Sequence, residues 1–237
     1  MTTLEINRIN TKDVNIEDAT PAMQQYLQTK KEYQDSILLY RMGDFYETFF
    51  EDAVRMSKEL EITLTARDCG NVLGKIPLAG IPAKALDGYL EKLVQKNIKV
   101  AVCEQLEDPK FAKGIVKRGV TRVITAGTIT ESNLLDKNKN NYICALFKDE
   151  KSVNYGFAYT DISTGEFKVS QAPYNLILSE LARINPSEII APSKQQKLMP
   201  FQIVPEEAVD LPEEITANYN CSKVPQSVFA ENFAKNN

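Results

Sequence analysis

The residue types this chain lacks narrow its chemistry as much as those it carries. Among 237 residues there is no histidine, which removes Ser-His-Asp and Cys-His catalysis, imidazole general bases and histidine-ligated metals together. The four cysteines, Cys69, Cys103, Cys144 and Cys221, lie 34, 41 and 77 positions apart, too far for zinc or redox motifs, and read as reduced, buried thiols. Asp161, Glu166 and Glu180 are the carboxylates a two-metal nuclease would use if the second half folded like ribonuclease H; unlinked surface acids are the commoner reading. Gly70-Asn71-Val72-Leu73-Gly74-Lys75 falls one residue short between its glycines for a phosphate-binding loop. It also has Ile76 where Ser or Thr would hold magnesium, and so reads as a plain loop.

Two segments point to a polyanion instead. Lys110, Lys113, Lys117, Arg118 and Arg122 fall within thirteen residues that contain no acid, a stripe suited to phosphate contacts, although a solvated face has the same look. The run Arg41-Met42-Gly43-Asp44-Phe45-Tyr46-Glu47 sets aromatics and a carboxylate straight after a tight turn. On an extended segment Phe45 and Tyr46 point opposite ways, so one can project outward while the other packs. Core packing accounts for the aromatics but not for Glu47.

The elements that must position these residues follow from the apolar pattern. Residues 1–19 show no periodicity and are expected to form a mobile arm. Thr20-Pro21 reads as an N-cap and first helical residue, opening a helix to about Gln34. A strand is expected over 36–42, with 44–49 able to pair back on it. A helix over 50–60 and a strand over 62–66 come next, then a loop marked by Gly70, Gly74 and Pro77. Leu86, Tyr89, Leu90, Leu93 and Val94 repeat as an amphipathic helix, followed by strands over 98–104 and 120–126. The polar stretch Thr130 to Asn141 is the linker candidate. Beyond it, strands over 142–148, 153–160 and 166–170 form a meander, with a helix over 175–184 and a short strand at 188–190. From Pro200 the prolines break every pattern, as in an irregular tail or the edge of something larger.

The fold class is therefore α/β in two parts: a first domain over 20–130, a linker over 131–140 and a second domain over 141–237. With 43% hydrophobic residues the chain can bury a core. No apolar run approaches a membrane span or a secretory signal, so a cytoplasmic protein is expected. Residues 1–130 hold 18 basic and 18 acidic side chains and residues 131–237 hold 10 and 14, which puts the whole net charge of −4 in the second part.

One resemblance gathers these features. PAMQQYLQTKKEYQDSILLY followed by RMGDFYETFFEDA is similar to the start of the MutS family of DNA mismatch-recognition proteins. ITLTAR, IPLAGIPAKALDGYLEKLV, VAVCEQLEDP, AKGIVKRGVTRVITAGT and DISTGEF continue the likeness in order, over about residues 20–190. The resemblance implies a mixed-sheet mismatch-binding domain followed by a ribonuclease H-like connector. It implies that Phe45 is pushed into the base stack beside a mispair and that Glu47 hydrogen-bonds the mispaired base. Backbone contacts are expected from Met42, Arg67, Lys84, Lys110, Lys113, Lys117, Arg118 and Arg122. Ala83-Lys84 stands where many members have Tyr-His, so the contact there departs from the family while the positive charge is kept. The family's ATPase, clamp and lever helices have no counterpart in this sequence, so it is expected to be an amino-terminal portion whose connector is truncated after about 230. No enzymatic activity, metal site or cofactor is expected within it; ATP and magnesium belong to the ATPase region. The implied partners are mismatched duplex DNA, the rest of a MutS chain and a MutL-type repair protein, with the fragment monomeric and associated with the chromosome. Two other classes compete: a metal-dependent nuclease on Asp161, Glu166 and Glu180, and a purely protein-binding connector.

Overall fold

The computed structural model describes residues 10–108, 110–112, 114–128, 140–148, 152–193 and 211–229. The chain divides into two compact units, Met1–Thr125 and Ala126–Asn237. Each builds a mixed sheet around its own core.

The first unit contains α1 (Pro21–Glu32), β1 (Ile37–Met42), β2 (Phe45–Phe49), α2 (Phe50–Leu60), β3 (Thr65–Asp68), β4 (Lys75–Pro82), α3 (Leu86–Gln95), β5 (Val100–Gln105) and β6 (Arg118–Ile124). Its sheet order is β3-β4-β2-β1-β5-β6, antiparallel throughout except for β1 beside β5. Period-two alternation gives every strand two faces. On one face Leu38, Tyr40, Phe49, Ile76, Ala101 and Cys103 pack under Met23, Tyr26 and Leu27 of α1. Their strand neighbours Ile37, Leu39, Ala79, Ile81, Val100 and Val102 are buried on the opposite face, where α2 and α3 lie.

Three features fix the ends of these elements. Pro21 occupies the first turn of α1, where its missing N–H costs nothing. Phe50 has φ +55°, a left-handed conformation uncommon outside glycine, and it lets β2 pass into α2 without a loop; its fully buried ring holds the strained backbone in place. Lys30, buried at the end of α1, reaches Asp52 at 2.9 Å and the Ser36 carbonyl at 2.6 Å, while Asp52 also accepts the Leu38 N–H. A buried charge pair stays folded only with such added hydrogen bonds, and this one ties α1, α2 and β1 together.

Three sequence expectations need correction in this unit. The stretch read as a loop around Pro77 is β4, an interior strand paired with both β2 and β3. Pro77, Gly80 and Pro82 hide its pattern, although Ile76, Ala79 and Ile81 are buried. The strand expected over 62–66 starts three residues later, at Thr65. The stretch read as a mobile arm lies against the domain from residue 10 onward, in two 3-10 turns whose Val14 and Ile16 pack on the core; Thr11 donates from its backbone N–H to Glu51 at 2.8 Å. Residues 1–9 lie outside the described residues.

The second unit contains β7 (Tyr142–Lys148), β8 (Asn154–Asp161), β9 (Glu166–Pro173), α4 (Tyr174–Ile184), β10 (Glu188–Pro192), α5 (Glu213–Asn218) and β11 (Cys221–Val224). The antiparallel meander β7-β8-β9 is extended on its other side by β10 and β11, both parallel to β7, in the order β11-β10-β7-β8-β9. This is the mixed sheet expected of a ribonuclease H-like connector. Ile177, Leu181 and Ile184 of α4 and Ile215 of α5 cover Leu146, Phe157 and Ile189. The short α5 and β11 lie in the tail that read as patternless. Gly127, before the expected linker, packs within this unit and donates its N–H to the buried Glu188 carboxylate at 3.1 Å.

Candidate nucleic-acid interface

β1 and β2 form a hairpin around Gly43, whose φ of +60° suits the tight turn. Its register pairs Met42 with Phe45, Arg41 with Tyr46 and Tyr40 with Glu47. Phe45 and Glu47 therefore share the face of the sheet that carries α1, with Tyr46 on the other. Tyr46 is 3% exposed; its hydroxyl bonds Glu104 and its ring lies 5.1 Å from the Arg41 guanidinium. Phe45 is 48% exposed, beyond the part of the face that α1 covers. A buried tyrosine thus anchors the strand that holds an aromatic ring out to solvent. Arg41, Asp44, Phe45, Pro82, Ala83 and Lys84 line a surface depression of about 720 Å³ around that ring.

Glu47 is half-buried and its Oε2 lies 2.8 Å from an Arg67 guanidinium nitrogen. Burial pushes the Glu47 carboxyl above its ordinary value, and the Arg67 charge and hydrogen bond pull against that rise without cancelling it. Arg67 comes from the edge strand β3, two strands away, and its guanidinium lies 5.7 Å from the Phe49 ring centre. Gly80 of β4 sits directly opposite Glu47, where a side chain would meet the Glu47 Cγ at 3.6 Å. The sequence pattern alone did not mark Gly80 and gave Arg41 no role of its own. A glycine inside the run IPLAGIP was the available signal for a close approach.

The cationic residues differ in exposure. Lys84 is exposed in a 3-10 turn between β4 and α3. Lys110, Lys117 and Arg122 are exposed on the β5–β6 connection and on β6. Arg118 is instead built into the fold: it donates to the carbonyls of Arg41 at 2.7 Å and Val116 at 3.0 Å, and lies 5.1 Å from the Tyr40 ring centre. Met42 packs against the core beside Phe45, its cross-strand partner. Lys113 lies outside the described residues.

The carboxylates that suggested a nuclease go to separate partners. Asp161 caps the β8–β9 turn, accepting from the Ser163 backbone at 2.8 Å, the Ser163 hydroxyl at 2.6 Å and the Asn141 N–H at 3.2 Å. Glu166 pairs with Lys168 and accepts from Tyr142, and Glu180 pairs with Arg183 on α4. Among the described residues no group of three or more potential metal ligands occurs, and no helix is long and apolar enough to cross a membrane.

Comparison with known proteins covers both units. The family model for MutS domain I matches residues 20–133 and that for MutS domain II matches residues 141–236. A DNA mismatch repair protein MutS from Alkaliphilus oremlandii is 51% identical over 175 residues, 72% of this chain and 20% of the relative. The protein of the same name from Syntrophomonas wolfei is 54% identical over 177 residues, 73% of this chain and 20% of its own length. That from Dehalococcoides mccartyi is 48% identical over 188 residues, 79% of this chain and 22% of the relative. The chain spans about a fifth of the length of these relatives. With both domains matched in order and nearly half the aligned residues or more identical, the chain belongs to the MutS family.

Proposed function

We propose that the first unit recognises mispaired or unpaired bases in duplex DNA by wedging Phe45 into the base stack, and that the second is the connector joining it to the rest of a MutS protein. The exposed ring of Phe45 beside the Glu47 carboxylate, both held by the buried Tyr46, carries this reading. A mispair stacks and pairs less well than a Watson-Crick pair, so unstacking and kinking it costs less, and a protein that bends every site it tests selects mismatches through deformability. The aromatic ring replaces the stacking it disrupts, worth about 1 to 3 kcal/mol per base in single-stranded sites. Lys84, Lys110, Lys117 and Arg122 hold register on phosphates without reading sequence. Glu47 supplies the base contact. A purine N7 is an acceptor only, so bonding there requires the carboxyl to be protonated, and burial together with the negative field of DNA pushes it that way.

In this reading the fragment is no enzyme: ATP and magnesium act in the ATPase region of the longer relatives. A MutL-type protein is a further partner through the connector, and the fragment is a cytoplasmic, chromosome-associated monomer. The arrangement of Asp161, Glu166 and Glu180 gives the nuclease alternative no support. The test is a salt-controlled titration of the 237-residue chain with one mismatched duplex and its matched counterpart. Weak binding is expected, about 10⁻⁴ to 10⁻⁶ M for non-specific contacts at physiological salt, with the mismatched duplex favoured. Equal affinity for the two duplexes would remove the proposal and leave only the fold.

A further inference from the structure

Glu47, on the proposed DNA-facing patch, is tied to a cation from another strand, and the way that tie is built has consequences for binding. Arg67 stands opposite Ile76 and Glu47 opposite Gly80, with the pairs Thr65–Leu78 and Leu78–Phe49 between them. The arginine stem must therefore cross the Leu78–Phe49 row, and it does so beside the Phe49 ring. It ends on Glu47, whose cross-strand neighbour on β4 is Gly80, a residue with no side chain. The ion pair is made through one guanidinium nitrogen at 2.8 Å. Of the two side chains Arg67 is the more exposed, at 38% against 21% for Glu47, so an approaching phosphate meets the guanidinium first.

We propose that Arg67 is a positioning residue for Glu47: in the free protein it parks the carboxylate across Gly80, and on contact with DNA it exchanges Glu47 for a backbone phosphate, releasing the carboxyl toward the base. This rests on the mismatch-binding reading of the site. Both halves of the exchange are charge-assisted contacts of similar kind, so the swap is nearly balanced and the guanidinium can pass from one anion to the other. The released carboxyl then lies in the field of the DNA without its cation and takes up a proton from solvent. The other groups facing Glu47 do not replace Arg67. From β1 the neighbour is Tyr40, whose hydroxyl donates to Gln25 of α1 at 2.5 Å; from β4 it is Gly80. Arg118 is held near Tyr40 by carbonyls, Lys84 borders the depression at Phe45, and Arg41 and Glu104 accompany Tyr46 on the opposite face.

A double-mutant cycle on the 237-residue chain separates exchange from a fixed pair. Affinities for one mismatched duplex are measured at constant salt for the parent, Arg67→Ala, Glu47→Gln and the double variant. If Arg67 exchanges, its phosphate contact in the parent is offset by breaking the ion pair. Arg67→Ala should then cost about two- to five-fold more affinity in the Glu47→Gln background than in the parent, the range of a partly exposed pair. If Arg67 stays on Glu47 in the complex, its removal unmasks the carboxylate and costs more in the parent; that order, or equal costs, overturns the proposal. Without DNA, the NMR titration of the Glu47 carboxyl should move upward in Arg67→Ala and stay near the parent in Arg67→Lys; an unmoved titration in Arg67→Ala overturns the pairing itself. Arg67→Gln, which keeps the stem beside Phe49, replaces Arg67→Ala in the cycle if the alanine variant melts early. Failure of the parent to bind DNA would count against the functional reading, whereas a reversed cycle in a chain that binds would count only against the exchange.

Discussion

Phe45 and Tyr46 are adjacent aromatics with opposite tasks, and the difference comes from the alternation of a strand. Phe45→Ala removes an exposed ring and should leave the melting temperature close to that of the parent. Tyr46→Ala empties a buried site and should cost about 3 kcal/mol or more, read by urea unfolding. Equal destabilisation by the two variants would mean that Phe45 is a core residue. In the proposed reading Glu47 makes the selective contact. Ionised and parted from Arg67, it would repel every duplex, and on the DNA only an unstacked base would offer it a partner. Glu47→Gln removes that repulsion and also frees Arg67 for phosphate. It should therefore bind matched and mismatched duplexes more tightly, with a smaller ratio between them, in titrations at fixed salt. Weaker binding of matched DNA than by the parent would show that Glu47 does not act through its charge.

At the level of elements, the hairpin was readable in the sequence because the turn at Gly43 separates an apolar run from an alternating one, while its register came only from the pairing itself. Strand β4 was not, because its two prolines and one glycine are turn residues by any local rule, and only pairing on both sides makes a strand of them. The cation across Gly80 was equally hidden, since Arg67 and Glu47 are twenty residues apart and meet only through that pairing. The basic stripe shows the converse. Local charge marked Arg118 as readily as Lys117, but strand β6 turns Arg118 inward onto Arg41 and Tyr40. Lys117→Ala should therefore reduce the slope of log K against log salt by about 0.9 with no loss of stability. Arg118→Ala should leave that slope unchanged and lower the melting temperature. The opposite assignment of effects would place Arg118 on the DNA.

At the scale of the molecule, two units with separate cores divide the work. The first holds the aromatic ring and the exposed cations. The second carries the excess of acid, and its chain entry depends on one glycine. A methyl at Gly127 would lie 2.9 Å from Glu188 Oε2 and 3.0 Å from Ile143 Cβ, closer than packed atoms sit. Gly127→Ala should destabilise the second unit by about 1 to 3 kcal/mol, the usual cost of overpacking, while the first keeps its stability and its DNA binding. Hydrogen exchange resolved by unit would show this, and unchanged protection in both units would mean that Gly127 is not closely packed. The polar run before Asn141 marked the linker in the sequence, whereas the hydrogen bonds of Ala126 and Gly127 to Asn141 and Glu188 have no sequence pattern.

Insertion of Phe45 into the base stack is tested by comparing the parent with Phe45→Ala on one mismatched duplex and its matched counterpart at a single salt concentration. The parent should favour the mismatched duplex, and in Phe45→Ala the ratio of affinities should fall to near one while matched DNA is bound as before. A Phe45→Ala chain that keeps the parent's ratio would contradict the wedge.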